Sequence, residues 1–135
     1  MVDNNRIIVI EDDPDINKLI AYNLRKEGFT VEQAFDGNEA SERLKSGYFS
    51  IVILDIMLPG LNGFDICKAI KESDSLSKSF IIVISARTSS QDKLYAHILG
   101  ADCYLSKPFR VERLISVVKD VQVMQNKDFS VKLEK

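Results

Sequence analysis

A few polar residues stand directly after apolar runs, and their types suit chemistry on a phosphoryl group. Glu11, Asp12 and Asp13 follow Ile7-Ile8-Val9-Ile10. Asp55 lies between Ile51-Val52-Ile53-Leu54 and Ile56-Met57-Leu58. Ser85 ends Phe80–Ile84, and Lys107 comes soon after Cys103–Leu105. An acid run is ordinarily a solvated loop that caps a helix, and Asp13 is read that way. Asp55 fits that reading poorly, because a lone carboxylate among apolar residues is costly unless its charge is compensated. If the Ile7–Ile10 and Ile51–Leu54 runs are neighbours, Glu11, Asp12 and Asp55 converge. Carboxylates about 4–5 Å apart repel by roughly 3–4 kcal/mol at an effective dielectric near 20. Two things would relieve the repulsion. One is a hard divalent cation, magnesium rather than zinc, since no imidazole or thiolate is near. The other is Lys107, a compact cation. Cations that neutralise phosphoryl oxygens while a carboxylate attacks in line make a phosphoryl-transfer site. Ser85 can donate its hydroxyl to the same oxygens, and small Ala86 leaves room and offers a backbone N–H.

The elements that must position these groups alternate along the chain. The runs named above are β-branched and apolar on both faces, as strands buried between helical layers must be; Thr30–Ala34 and Cys103–Leu105 are weaker strand candidates. Between them lies helical spacing. Ile16, Leu19, Ile20 and Leu24 share a face, with Asp13 as cap, Pro14 in the first turn and Gly28 as stop. Asp36-Gly37-Asn38-Glu39 resembles a capping box, and its helix stops at Gly47. Further helices are predicted over Gly63–Glu72, over Ser90–Leu99 before Gly100, and from Val111 through Leu114, Ile115 and Val118. Strand and helix thus alternate five times. Short connections then require a parallel sheet covered by helices on both faces. In such sheets the ligand crevice lies beyond the carboxyl ends of the strands, where the polar residues fall.

Composition removes several classes. A chain of 135 residues is read as one domain, which buries about two-thirds of its unfolded surface without staples. Hydrophobic content of 45% argues against disorder, and a net charge of −2 against a dedicated nucleic-acid binder. The longest apolar run, Phe80–Ile84, is far short of the roughly 20 residues that span a bilayer, and Ile7–Ile10 runs into acids where a signal peptide would continue. Cys67 and Cys103 form no CxxC pair and are read as two buried thiols in a reducing compartment. The expectation is a soluble cytoplasmic domain.

Glu11-Asp12, Asp55 within Leu54-Asp55-Ile56-Met57-Leu58-Pro59-Gly60, Ser85-Ala86 and Tyr104-Leu105-Ser106-Lys107-Pro108-Phe109 together resemble the receiver domain of two-component response regulators, over about residues 5–124. Four motifs in the right order at strand ends make the resemblance specific. It implies a doubly wound, flavodoxin-like (βα)5 sandwich with sheet order 2-1-3-4-5, the domain taking residues 1–124. It implies that Asp55 accepts a phosphoryl group from a histidine kinase or phosphotransfer protein, in a signalling domain rather than an enzyme. Asp12 and Asp55 would bind magnesium, with manganese as substitute, through carboxylates, Met57 through its carbonyl and Glu11 mainly through water. Ser85 would move toward the phosphoryl group while Tyr104 turns inward. The Met57 side chain either tunes dephosphorylation or shields the site. Arg87 is either a surface charge or a lid.

Other readings are weaker. Asp13-Pro14-Asp15 has the D-x-D spacing of aspartate-dependent phosphatases but lacks the following threonine or valine. A receiver that binds partners without phosphorylation would not need Asp55 and Lys107. A flavodoxin-like cofactor carrier would need a Gly/Ser/Thr-rich phosphate loop after the first strand. His97, the only histidine, is read as a surface residue, so the chain is no phosphohistidine carrier. Residues 125–135 form a tail or linker remnant in which Phe129, Val131 and Leu133 alternate with polar residues. That pattern fits the first strand of a following domain or a tag-adjacent remnant, and the chain is then a stand-alone receiver or one cut at a linker. Output is expected through the fourth helix, fifth strand and fifth helix, toward an effector or a second copy, with no specific DNA binding. On that face Tyr95, Cys103 and Val117 stand where the winged-helix branch of the family pairs charges, although Asp102 remains; Cys103 and Val117 are either docking groups or core.

Overall fold

The computed structural model describes residues 5–134, with 127–134 described by their helical backbone alone. The strongest apolar runs become the middle of one sheet: β1 (Arg6–Ile10), β3 (Ile51–Asp55) and β4 (Phe80–Ser85). β2 (Thr30–Ala34) and β5 (Cys103–Ser106) form its edges. The order is β2-β1-β3-β4-β5 and every pairing is parallel. Between and after the strands run α1 (Pro14–Lys26), α2 (Gly37–Leu44), α3 (Gly63–Glu72), α4 (Ser90–Ile98) and α5 (Val111–Glu134). This is the doubly wound sandwich expected from the alternation.

Side chains alternate between the faces of a strand, so each continuous apolar run supplies two cores. Ile8, Ile10, Val52, Leu54, Ile81 and Val83 pack with Ala40, Phe64, Cys67, Ile70 and Ala96 of α2, α3 and α4. Ile7, Val9, Ile51, Ile53, Ile82 and Ile84 pack with Ile20, Leu24, Leu114 and Val118 of α1 and α5. The edge strands are covered less evenly, which is why their sequence signal is weaker. Cys103, expected to be buried, is on such an edge and only half-buried; Cys67 is buried in the opposite core, and both thiols are free.

The caps follow the sequence with one shift. Asp13 accepts from the N–H groups of Asp15 (2.9 Å) and Ile16 (3.2 Å), with Pro14 opening α1. Gly28 leaves that helix at φ +98°, a conformation that suits glycine. Asp36 accepts from Glu39 N–H at 2.7 Å, but the Glu39 carboxylate returns to Phe35 N–H (2.8 Å), so the box closes one residue early. The tail departs further. Residues 125–134 continue α5 as helix, where the alternation at Phe129, Val131 and Leu133 predicts an extended segment. Three alternating apolar residues are a weak signal, and adding turns to an existing helix avoids the cost of nucleation.

Candidate functional site

Parallel register brings the strand ends level. Ile10 pairs with Leu54, which sets Glu11 beside Asp55; Ser85 pairs with Ser106, which sets Lys107 at the same height. The Lys107 backbone N–H donates to the Ser85 carbonyl at 2.8 Å. From there its ammonium donates to Glu11 Oε1 (2.5 Å) and Asp55 Oδ2 (2.8 Å) at once. Glu11 is fully buried and Asp55 is 4% exposed, whereas Asp12 is open to solvent. Carboxylate oxygens of all three acids lie within 4.8 Å of one another. Asp55 Oδ1 accepts from Met57 N–H (2.9 Å) and Glu11 Oε2 from Asp13 N–H (3.1 Å). The chain then turns back closely: a Cβ on Gly63 would lie 2.2 Å from Ile56 Cα, so glycine there permits the approach.

Burial raises the Glu11 carboxyl from its ordinary 4.5 to about 7, against the downward pull of Lys107. Burial lowers Lys107, but hydrogen bonds to Asp55 and Glu11 outweigh it and the ammonium is held above its usual range. Lys107 therefore stays charged, while the Glu11 carboxyl exchanges its proton around neutrality. An all-oxygen donor set with an excess of negative charge fits a hard divalent cation and offers no nitrogen or sulfur to a softer one.

This has a consequence for stability without metal. A carboxyl raised in the folded state binds its proton more tightly there than in the unfolded chain. Its contribution is complete below about pH 4.5 and is lost as pH rises through about 7, on the order of 2–3 kcal/mol. Urea unfolding in chelator at pH 5 and pH 8 is expected to show this loss in wild type and a smaller one in Glu11→Gln. Equal losses in the two would place the titration elsewhere.

Ser85 is buried, and its Oγ accepts from Arg87 N–H at 3.1 Å. The Tyr104 hydroxyl donates to the Arg87 carbonyl at 2.5 Å. The Arg87 side chain pairs with Asp92 of α4 at 2.9 Å and lies over the Phe64 ring. Arg87 is thus neither a free surface charge nor simply a lid. Its backbone joins Ser85 to Tyr104, and its side chain ties that loop to α4. Ala86, between them, is exposed. His97 is exposed too, with Nδ1 near the Ala101 carbonyl, and contributes nothing to the strand-end cluster.

The face of α4, β5 and α5 divides. Tyr95 is 51% exposed, with Leu94 and Ile98 open beside it, and these two were not singled out from sequence. Cys103 and Val117 pack partly against the core. Asp102 turns inward, accepting from Ile81 N–H (2.8 Å) and lying 3.6 Å from Lys71, so its charge is already engaged within the domain. Among the described residues no helix is long and apolar enough to cross a membrane.

A sequence model described as the response regulator receiver domain matches residues 7–119. The chain belongs to this family. Its fold is similar to the receiver domain of Francisella response regulator 1452, with a TM-score of 0.81, 27% identity and 90% and 98% of the two chains covered. It is similar to the Vibrio cholerae chemotaxis response regulator CheY4, with a TM-score of 0.81, 28% identity and 86% and 97% covered. It also resembles Thermotoga maritima DrrB, an OmpR/PhoB homolog, with a TM-score of 0.79 and 30% identity; there it covers 89% of this chain and 53% of the other. The general role of receiver domains is that of phosphoacceptor in two-component signalling, between kinases or phosphotransfer proteins and output domains. This receiver domain carries an acidic cluster that can hold a metal ion.

Proposed function

We propose that Asp55 is the phosphoacceptor of this receiver domain. The observation that carries the proposal is the single ammonium of Lys107 bridging Glu11 and Asp55 beside the exposed Asp12. An Asp55 oxygen attacks phosphorus as the bond to the donor's imidazole nitrogen breaks, and that nitrogen leaves with the electron pair. Negative charge on the phosphoryl oxygens is met by Lys107, by the Ser85 hydroxyl and by the Ala86 N–H. Glu11, Asp12 and Asp55, with the Met57 carbonyl, would hold magnesium, which supplies positive charge against the incoming group. Asp13 is engaged as the cap of α1, so the Asp13-Pro14-Asp15 segment offers the phosphatase reading no free nucleophile.

Ser85 is engaged with Arg87 N–H, and Tyr104 with the carbonyl of the same residue. Drawing Ser85 toward a phosphoryl group therefore disturbs the anchor of Tyr104 and the Arg87–Asp92 tie to α4. Phosphorylation needs to favour the active arrangement by only a few kcal/mol. The output surface is α4, β5 and α5, with Leu94, Tyr95 and Ile98 of α4 among its exposed apolar groups. It contacts an output domain, an effector or a second copy, and this chain does not bind specific DNA. The input partner is a histidine kinase or phosphotransfer protein, in the cytoplasm.

Incubation with a small phosphodonor and magnesium tests the proposal by intact mass. One phosphoryl group per chain is expected with magnesium or manganese, little with calcium, and none in chelator. Labelling that survives chelation, or a preference for zinc at neutral pH, would overturn the metal assignment.

A further inference from the structure

Asn17 lies on the core-facing side of α1 with Ile20, Ala21 and Leu24, and is fully buried. An amide there is costly unless its polar atoms are satisfied, and an apolar residue would pack without that penalty. Asn17 Nδ2 donates to the carbonyls of Glu11 (2.9 Å) and Ala34 (3.0 Å), and Oδ1 accepts from Gln33 Nε2 (2.9 Å). The Glu11 N–H donates to the same Ala34 carbonyl at 3.0 Å. Glu11 is thereby gripped on both sides of its backbone, just where the chain passes to Asp12.

Few side chains can do this. The position needs donors for two carbonyls and an acceptor for one amide on a single short planar group. Aspartate lacks the donors, lysine and arginine lack the acceptor, and leucine lacks both. The grip matters most for Asp12, which is exposed and takes its place from the backbone leaving Glu11. A small hard cation demands near-octahedral oxygens at about 2.0–2.1 Å, so a displaced carboxylate weakens binding sharply.

We propose that Asn17, itself held by Gln33, is a positioning residue that sets the Glu11–Asp12 peptide for cation binding. This rests on the metal reading given above. Manganese(II) alone is the probe, with the free ion counted by electron paramagnetic resonance during titration of wild type, Asn17→Leu, Gln33→Ala and Leu24→Ala. Outer partners of metal ligands typically contribute 10–100-fold to affinity, so Asn17→Leu is expected to bind at least about tenfold more weakly. Gln33→Ala, which removes one hydrogen bond from the relay, should lose about three- to tenfold. Leu24→Ala weakens the packing of the same helix away from the site, and should keep wild-type affinity while unfolding at lower urea. Wild-type affinity in folded Asn17→Leu would overturn the inference alone, as would an equal loss in Leu24→Ala. If Asn17→Leu does not fold, unchanged affinity in Gln33→Ala would overturn it. No manganese binding by wild type would overturn the metal reading and this inference together.

Discussion

Asp55→Asn is expected to take up no phosphoryl group, its mass unchanged after prolonged exposure to a small donor with magnesium. The amide replaces an anionic oxygen nucleophile with a carbonyl and a nitrogen whose lone pair is delocalised, so the attacking group is lost outright. The fold should survive, because Lys107 keeps Glu11 as a partner and only one member of the cluster loses its charge. Circular dichroism and urea unfolding close to wild type would separate lost chemistry from lost structure. In wild type the product should be labile and react with hydroxylamine, as an acyl phosphate does. One phosphoryl group per chain in the Asp55→Asn variant would end the assignment of Asp55.

Lys107→Ala should separate phosphorylation from switching. Removing one partner of a buried ion pair ordinarily destabilises by about 3–5 kcal/mol. Here the loss should be smaller, because Glu11, already raised to about 7, can take up a proton and relieve the repulsion. Phosphoryl transfer should continue at a reduced rate, since all three carboxylates remain, Asp55 among them. Coupling should fail, because the ammonium that would bind the phosphoryl oxygens and draw β5 toward them is gone. Amide chemical shifts of Tyr104 and α4 should move on phosphorylation in wild type and stay near their resting values in the variant. Identical shifts in the two proteins would show that Lys107 has no part in the switch. Ser85→Ala should show the same uncoupling more mildly, having lost one hydrogen bond.

Much of the architecture is legible before any coordinates, for a physical reason. β1, β3 and β4 are covered on both faces, so they are apolar except for one polar residue at an end, and among the described residues no other element reads that way. β2 and β5 have an open edge and mix Glu32, Gln33 and Tyr104 with apolar residues, which blurs them. The α1 cap is equally plain, because Asp13 and Pro14 act within their own turn. The tail is misread because Phe129, Val131 and Leu133 alternate over too few residues to outweigh a helix already running.

Residue type and order alone indicate that acids, a serine and a lysine stand at the carboxyl ends of parallel strands, where the ligand crevice of such a sheet lies. Local periodicity carries that information, since it depends only on near neighbours along the chain. What the folded chain adds is which polar group engages which. Lys107 reaches Glu11 and Asp55 together, across 96 and 52 residues of sequence. Asp102 spends its carboxylate on Ile81 and lies near Lys71, so it is no longer a free surface charge. Arg87 becomes the junction between Ser85 and Tyr104, and Asn17 the grip on Glu11. Each of these side chains could equally have faced water. Whether a hydrogen-bonding group is spent inside the domain or left for a ligand depends on neighbours that only the packed sheet and helices bring within reach.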